Sequence, residues 1–264
     1  MKLKLMNSFA KTALVVASCL CMASVAQAGF VNGGFETGDF SGWTLKYGSN
    51  TGYGSGAAGL ANPLNYVSWG GSGVTPVVVD KASSTDSYVP GFASTFVGNK
   101  MAKINDIGGG YNVTQLSQTA TITAADLTGG LTNLYINWIS VMENPAHPAG
   151  ENPWFNINVT AGLSTYSVTH FSTDSGWAET GGAYSSIFEG SGQDVITGLY
   201  AGEVITVTMT VADCAQGGHG AYAYLDGIGT SQVKPPTSVP EASSTLALFG
   251  LGLVGLAALR RRLA

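Results

Sequence analysis

Arginine is missing from almost the whole chain: all three stand together at Arg260, Arg261 and Arg262. Cysteine is nearly as scarce, with Cys19, Cys21 and Cys214 the only three in 264 residues. Charged residues make up 10% of the chain, and charge-free apolar runs occur only near its two ends. No stretch between those runs sustains a helical period. Each absence excludes something. From Gly29 to Val239 five lysines face fifteen carboxylates, a net charge of −10. Such a body repels nucleic acid and anionic lipid, and suits divalent cations or neutral partners such as sugars. The many glycines include no phosphate-cradling loop that opens a helix.

What is present starts with an export signal. Lys2, Lys4 and Lys11 form a basic region, Ala13 to Val25 is apolar, and Ala26-Gln27-Ala28 offers the small-x-small pattern that signal peptidase reads. Residues 1–28 are therefore expected to be a signal helix cleaved after Ala28, with Ala26 and Ala28 as the recognised positions. Val16-Ala17-Ser18-Cys19 loosely resembles a lipobox, but cleavage there would cut the apolar stretch in two. Removal of the signal takes Cys19 and Cys21 away and leaves Cys214 alone. One thiol in an oxidising compartment forms no internal disulfide, so stability must come from a core.

Residues 29–229 read as that core. Short β-branched and aromatic runs lie at Val74–Asp80, Lys100–Ile107, Gln115–Thr123, Leu134–Val141, Phe155–Thr160, Thr165–Phe171 and Val204–Ala212. Phe155, Ile157 and Val159 alternate with Asn156, Asn158 and Thr160, and Val207, Met209 and Val211 with Thr206, Thr208 and Thr210. Period-two patterning with one polar face predicts antiparallel strands over a shared core. Glycine clusters separate them, and the spacing predicts an all-β chain: a single antiparallel β-sandwich, jelly-roll-like. From Gly48 to Gly73 the sequence is loop-like and carries Tyr53, Tyr66 and Trp69, as a binding surface or as a plug for one end of the sandwich. Residues 230–238 are a proline-bearing linker.

The tail is of another kind. Ser244 to Leu259 is an uncharged stretch of sixteen residues, a helix of about 24 Å. Against a hydrocarbon core of about 30 Å it is short but workable as a transmembrane helix, because the arginines beyond it can snorkel. Arg260, Arg261 and Arg262 form the membrane stop and stay cytoplasmic. Val239-Pro240-Glu241, then the apolar helix, then the arginine cluster together resemble the PEP-CTERM sorting signal over residues 239–264. Ala242 stands where the second proline of that name would be. The resemblance implies a Gram-negative bacterial protein, held briefly in the inner membrane and processed by exosortase. Its implied destination is the cell surface or an exopolysaccharide matrix.

"VNGGFETGDFSGWT", from Val31 to Thr44, resembles the first strand of jelly-roll domains similar to carbohydrate-binding modules. The resemblance implies a structural Ca²⁺ held by an early glutamate and an aspartate on the last strand. Glu36 fits the first position, and Asp226 in "AYAYLDGIG" is the candidate for the second. The alternative is that both carboxylates sit in turns and accept backbone hydrogen bonds. In "DCAQGGHGAYAYLDG", Asp213, Cys214, His219 and Asp226 could gather around zinc, but no second close Cys/His pair exists. Cys214 is therefore read as a small buried apolar residue and His219 as a turn residue, with His147 and His170 as surface residues. No acid/base pair stands out among the carboxylates. The expected function is that of an exported, exosortase-sorted surface or matrix protein. Its body would be a non-catalytic sandwich with carbohydrate as the candidate ligand. A secreted polysaccharide hydrolase and a purely structural matrix protein are the alternatives.

Overall fold

Strands that alternate apolar and polar residues share one apolar face, and the described residues form twelve strands in two sheets. The computed structural model describes residues 29–50, 63–89, 92, 98–147, 151–182 and 186–230. In chain order the strands are β1 (Thr44–Asn50), β2 (Val67–Trp69), β3 (Val77–Asp80), β4 (Lys100–Asp106), β5 (Asn112–Thr121) and β6 (Thr132–Asn144). They continue as β7 (Trp154–Ala161), β8 (Ser164–His170), β9 (Ala178–Gly181), β10 (Ser186–Leu199), β11 (Val204–Ala212) and β12 (Ala221–Gly229). One sheet runs β2-β1-β5-β11-β7-β8 and the other β3-β4-β12-β6-β10-β9, antiparallel throughout. The body is thus a single antiparallel β-sandwich, as the alternation implied.

Its core lies between the sheets. Phe155, Ile157 and Val159 of β7 and Val207, Met209 and Val211 of β11 meet Leu134, Ile136, Ala223 and Leu225 from the opposite sheet. The three β4–β5, β6–β7 and β11–β12 connections each pass from one sheet to the other, and all do so at the same end.

The outer faces differ from the expected polar surface. On the second sheet Tyr222, Tyr224, Ile139 and Val141 point outward, yet they pack under Val89 and Phe92 of the β3–β4 connection. Asp86 fastens that cover, accepting hydrogen bonds from the hydroxyls of Tyr222 and Tyr224 at 2.7 Å each. On the first sheet Val113, Trp154 and Ala212 pack beneath Leu64, Val67 and Trp69. Asn156 and Thr210 are buried on that face despite their polarity. Trp69 therefore plugs the outer layer, while Tyr53 lies outside the described residues.

Also outside them are the signal segment with Ala26 and Ala28, most of the linker, and the tail with Val239, Pro240, Glu241 and Arg260 to Arg262. Among the described residues no helix is long and apolar enough to cross a membrane. The helix expected at 244–259 falls beyond them.

Candidate functional site

Glu36 and Asp226 do come together. A Cβ built on Gly34 would lie 3.5 Å from Asp226 Oδ1 and 3.8 Å from Glu36 Cγ, so one glycine separates the two side chains. The cation that faces Asp226, however, belongs to the chain. Lys81 Nζ stands 3.0 Å from Asp226 Oδ2 and donates to the Gly98 carbonyl at 3.3 Å, with both side chains buried. Asp226 Oδ1 accepts the Gly227 N–H, and Glu36 Oε1 accepts the N–H groups of Asn99 and Lys100. Burial pushes the Asp226 carboxyl up to about 7 against the pull of Lys81, and the Glu36 charge adds to the rise. The donor set fits calcium poorly. Both carboxylates already hold partners, and an ammonium stands where the divalent ion was expected. A buried carboxylate needs a compensating charge, and Lys81, far away in sequence, supplies it here.

At the other end of the sandwich Asp213 is buried and plays a local part. Its carboxylate accepts from Asn105 Nδ2 at 2.8 Å and from the Asn112 N–H at 2.9 Å. Burial outweighs these bonds and raises it to about 7. Asp213 is thus committed to the neighbouring strands, and Asp226 lies at the opposite end from Cys214 and His219. Cys214 is buried as expected, but its Sγ is 3.6 Å from His219 Nδ1, and the His147 ring lies 5.1 Å from that of His219. His147 and His219 are therefore partners and not isolated surface residues.

A third polar cluster lies between the sheets at the β8/β10 edge. Tyr166 and His170 point inward from β8, Trp138 from β6 and Asp194 from β10. Asp194 accepts the Trp138 indole N–H at 2.8 Å and the Tyr166 hydroxyl at 2.6 Å. His170 sits between two carboxylates, with Nδ1 3.6 Å from Asp174 and Nε2 4.0 Å from Asp194. Its Nε2 is buried and finds no hydrogen-bond partner among the described residues. The Trp138 ring packs on His170 at 4.3 Å and stacks towards Trp177 at 6.2 Å. Gly190 and Gly192 of β10 make the room, because a Cβ on either would run into the ring of Trp177 or Trp138. Burial, with the bond to Asp194, lifts the Tyr166 hydroxyl to about 12, so it stays a donor.

Sequence reading missed this cluster. Its members come from four separate segments, and β10 does not alternate cleanly because glycines occupy the positions beneath the rings.

Burial holds His170 below its ordinary value, although Asp194 and Asp174 pull the other way. An unfolded histidine takes up its proton near pH 6.5, whereas the folded one resists until lower pH. The unfolded state therefore binds more protons in that window, and stability falls as pH drops from about 6.5 towards the folded value. Lowering the pH from 7.5 to 5.5 should move the urea unfolding midpoint of the wild type in the destabilising direction relative to that of His170→Gln. Equal pH dependence in the two proteins would show that His170 is already solvated in the folded state.

Comparisons with known proteins complete the picture. Among solved structures, the enzymatically active domain of bacteriophage CBA120 tailspike protein 4 is similar at 10% identity and a TM-score of 0.35. That likeness covers 79% of this chain but only 22% of the tailspike chain. A family 16 carbohydrate-binding module matches at 14% identity and a TM-score of 0.28, over 51% of this chain and 78% of its own. A CBM22-1 xylan-binding domain from Paenibacillus barcinonensis matches at 13% identity and a TM-score of 0.28, over 77% and 95%. Likeness this distant bears on neither ligand nor chemistry. No curated protein matches the chain. Residues 238–262 match the PEP-CTERM protein-sorting motif, so the chain carries the signal of an exported protein that exosortase processes.

Proposed function

We propose that this protein is a surface or extracellular-matrix protein whose β-sandwich binds carbohydrate without cleaving it, at the β8/β10 edge. The observation that carries the reading is the pairing of half-exposed rings with carboxylates: Trp177 and Tyr166 flank Asp174 and Asp194 around His170. A sugar ring presents an apolar C–H face that stacks on an aromatic surface, and hydroxyls that donate to carboxylates. Trp177, Tyr166 and the Asp174 carboxylate offer both kinds of contact along this edge. The sorting motif supports the setting, since a protein exported to the cell surface meets polysaccharide there. The acidic body fits a neutral glycan better than a polyanion.

The test is a glycan array with the exported protein, followed by affinity electrophoresis against the best glycan. Trp177→Ala should weaken binding roughly 30-fold, the effect of losing an aromatic anchor of about 2 kcal/mol. A glycan bound equally by the variant would place recognition elsewhere. Release of reducing ends from that glycan would make the protein a hydrolase. Absence of any glycan binding would leave the matrix role purely structural.

A further inference from the structure

The end of the sandwich where the β6–β7 and β11–β12 connections cross between the sheets holds a second cluster of chemistry, unrelated to the aromatic edge. Cys214 and His219 come from the β11–β12 connection and His147 from the β6–β7 connection. One ligand atom from each lies within 4.8 Å of the others. We propose that these three side chains bind one zinc ion.

The geometry is close to what zinc needs. Bonds of about 2.3 Å to sulfur and 2.0–2.1 Å to nitrogen, in a tetrahedron, set ligand atoms roughly 3.3–3.6 Å apart. The distance from Cys214 Sγ to His219 Nδ1 is already 3.6 Å. The rest of the triangle has to close by up to about 1.5 Å, within the reach of a loop histidine. Donor chemistry points the same way: a thiolate with two imidazoles selects a borderline-soft transition metal over calcium or magnesium.

Two further observations belong to the same place. Among the described residues, Nδ1 of His147 and Oδ1 of Asn152 are buried without a hydrogen-bond partner, although Asn152 Nδ2 donates to the His147 carbonyl at 3.3 Å. Buried polar atoms left unsatisfied are rare and need a reason. A metal bound through the free nitrogen of His147 supplies one. The turn that presents Cys214 is also tightly built. The Cys214 N–H donates to the His219 carbonyl at 2.9 Å, and the Gly217 N–H to the Cys214 carbonyl at 3.1 Å. Gly217 takes φ +78°, and a Cβ there would run into the Tyr111 ring. These contacts hold the loop in a shape that turns sulfur and imidazole towards each other.

The consequence is mechanical. Without its signal segment the chain has one cysteine and forms no internal disulfide. A zinc ion here would staple two crossover connections of an unstapled sandwich, and three protein ligands leave the fourth position to water. Binding converts the Cys214 thiol to thiolate and releases its proton to solvent.

The experiment titrates cobalt(II), then zinc(II), into the exported protein after removal of bound metal. The expected result is one metal per chain, a thiolate-to-cobalt charge-transfer band and the visible bands of a tetrahedral site, all displaced by zinc. Cys214→Ser should abolish the charge-transfer band. His147→Ala and His219→Ala should each weaken zinc binding by at least the 10–100-fold that losing an outer-shell partner costs. His147 is on a half-exposed loop, so its variant keeps the test open if Cys214→Ser fails to fold. Cobalt binding without the charge-transfer band, or full zinc affinity in His147→Ala, would overturn the site. Neither outcome touches the carbohydrate reading, which rests on the other edge.

Discussion

Lys81→Met is expected to lower the melting temperature of the exported protein by about 6–20 °C. Lys81 and Asp226 are 3.0 Å apart, with 4% and 1% of their side chains exposed. A buried ion pair adds little net stability over an apolar pair, because both charges have lost their water. Removing one partner is another matter, and leaves an uncompensated charge at a cost of about 3–5 kcal/mol. For a domain of this size each kcal/mol moves the midpoint by about 2–4 °C, which gives the stated range. Asp226 can soften the loss by taking a proton, since burial already pushes its carboxyl up to about 7. Without Lys81 the rise must be larger. A carboxyl raised in the folded state keeps its proton there while the unfolded chain loses it, so stability falls as pH climbs from about 4 towards the folded value. The deficit of Lys81→Met should therefore be smaller at pH 5 than at pH 8. Asp226→Asn added to Lys81→Met should recover part of the loss, because the stranded charge goes with it. Calcium should leave the wild-type melt unchanged. A calcium-dependent rise would restore the bridging ion expected between Glu36 and Asp226, and a deficit under about 1 kcal/mol in Lys81→Met would deny the buried pair its role.

How much of this could be read in advance depends on whether the signal was local. The alternation in β7 and β11 named their inward residues correctly, because a half-buried strand writes its environment into every second position. The polar faces of the same strands misled. Asn156 and Thr210 are buried on a face over which a segment about 90 to 150 residues away, Pro63 to Trp69, folds back. Nothing in a strand's own pattern announces such a cover. β10 escaped notice for a related reason: Gly190 and Gly192 look like turn residues, but their missing side chains seat Trp177 and Trp138.

The sites obey the same division. Proximity of Glu36 to Asp226 was legible through a motif, whereas Lys81 carries no motif and only the β3–β4 connection delivers it to Asp226. His147 and Cys214 are separated by more than sixty residues, so ligand-spacing rules built for close pairs pass over them. Their meeting follows from topology, since both connections cross the same end of the sandwich.

The sorting segment is the extreme case of local legibility, and it supports the sharpest expectation. Pro240→Ala and Glu241→Ala should leave export intact and block C-terminal processing, taking the processed fraction from nearly all to nearly none. Residues 238–262 match the sorting motif, and Val239-Pro240-Glu241 lies just before the uncharged stretch from Ser244 to Leu259. The apolar stretch and the three arginines would hold that segment at the membrane, with the body already translocated. Intact mass of the cell-associated protein reads both processing events at once. In an exosortase-bearing host the wild type should lack residues 1–28 and the tail, while either variant lacks only the former. A wild-type protein made without exosortase should have the mass of the variants. Normal processing of both variants would remove Pro240 and Glu241 from the recognised motif. An N-terminus carrying acylated Cys19 would replace cleavage after Ala28 with lipoprotein export and leave the sorting result standing.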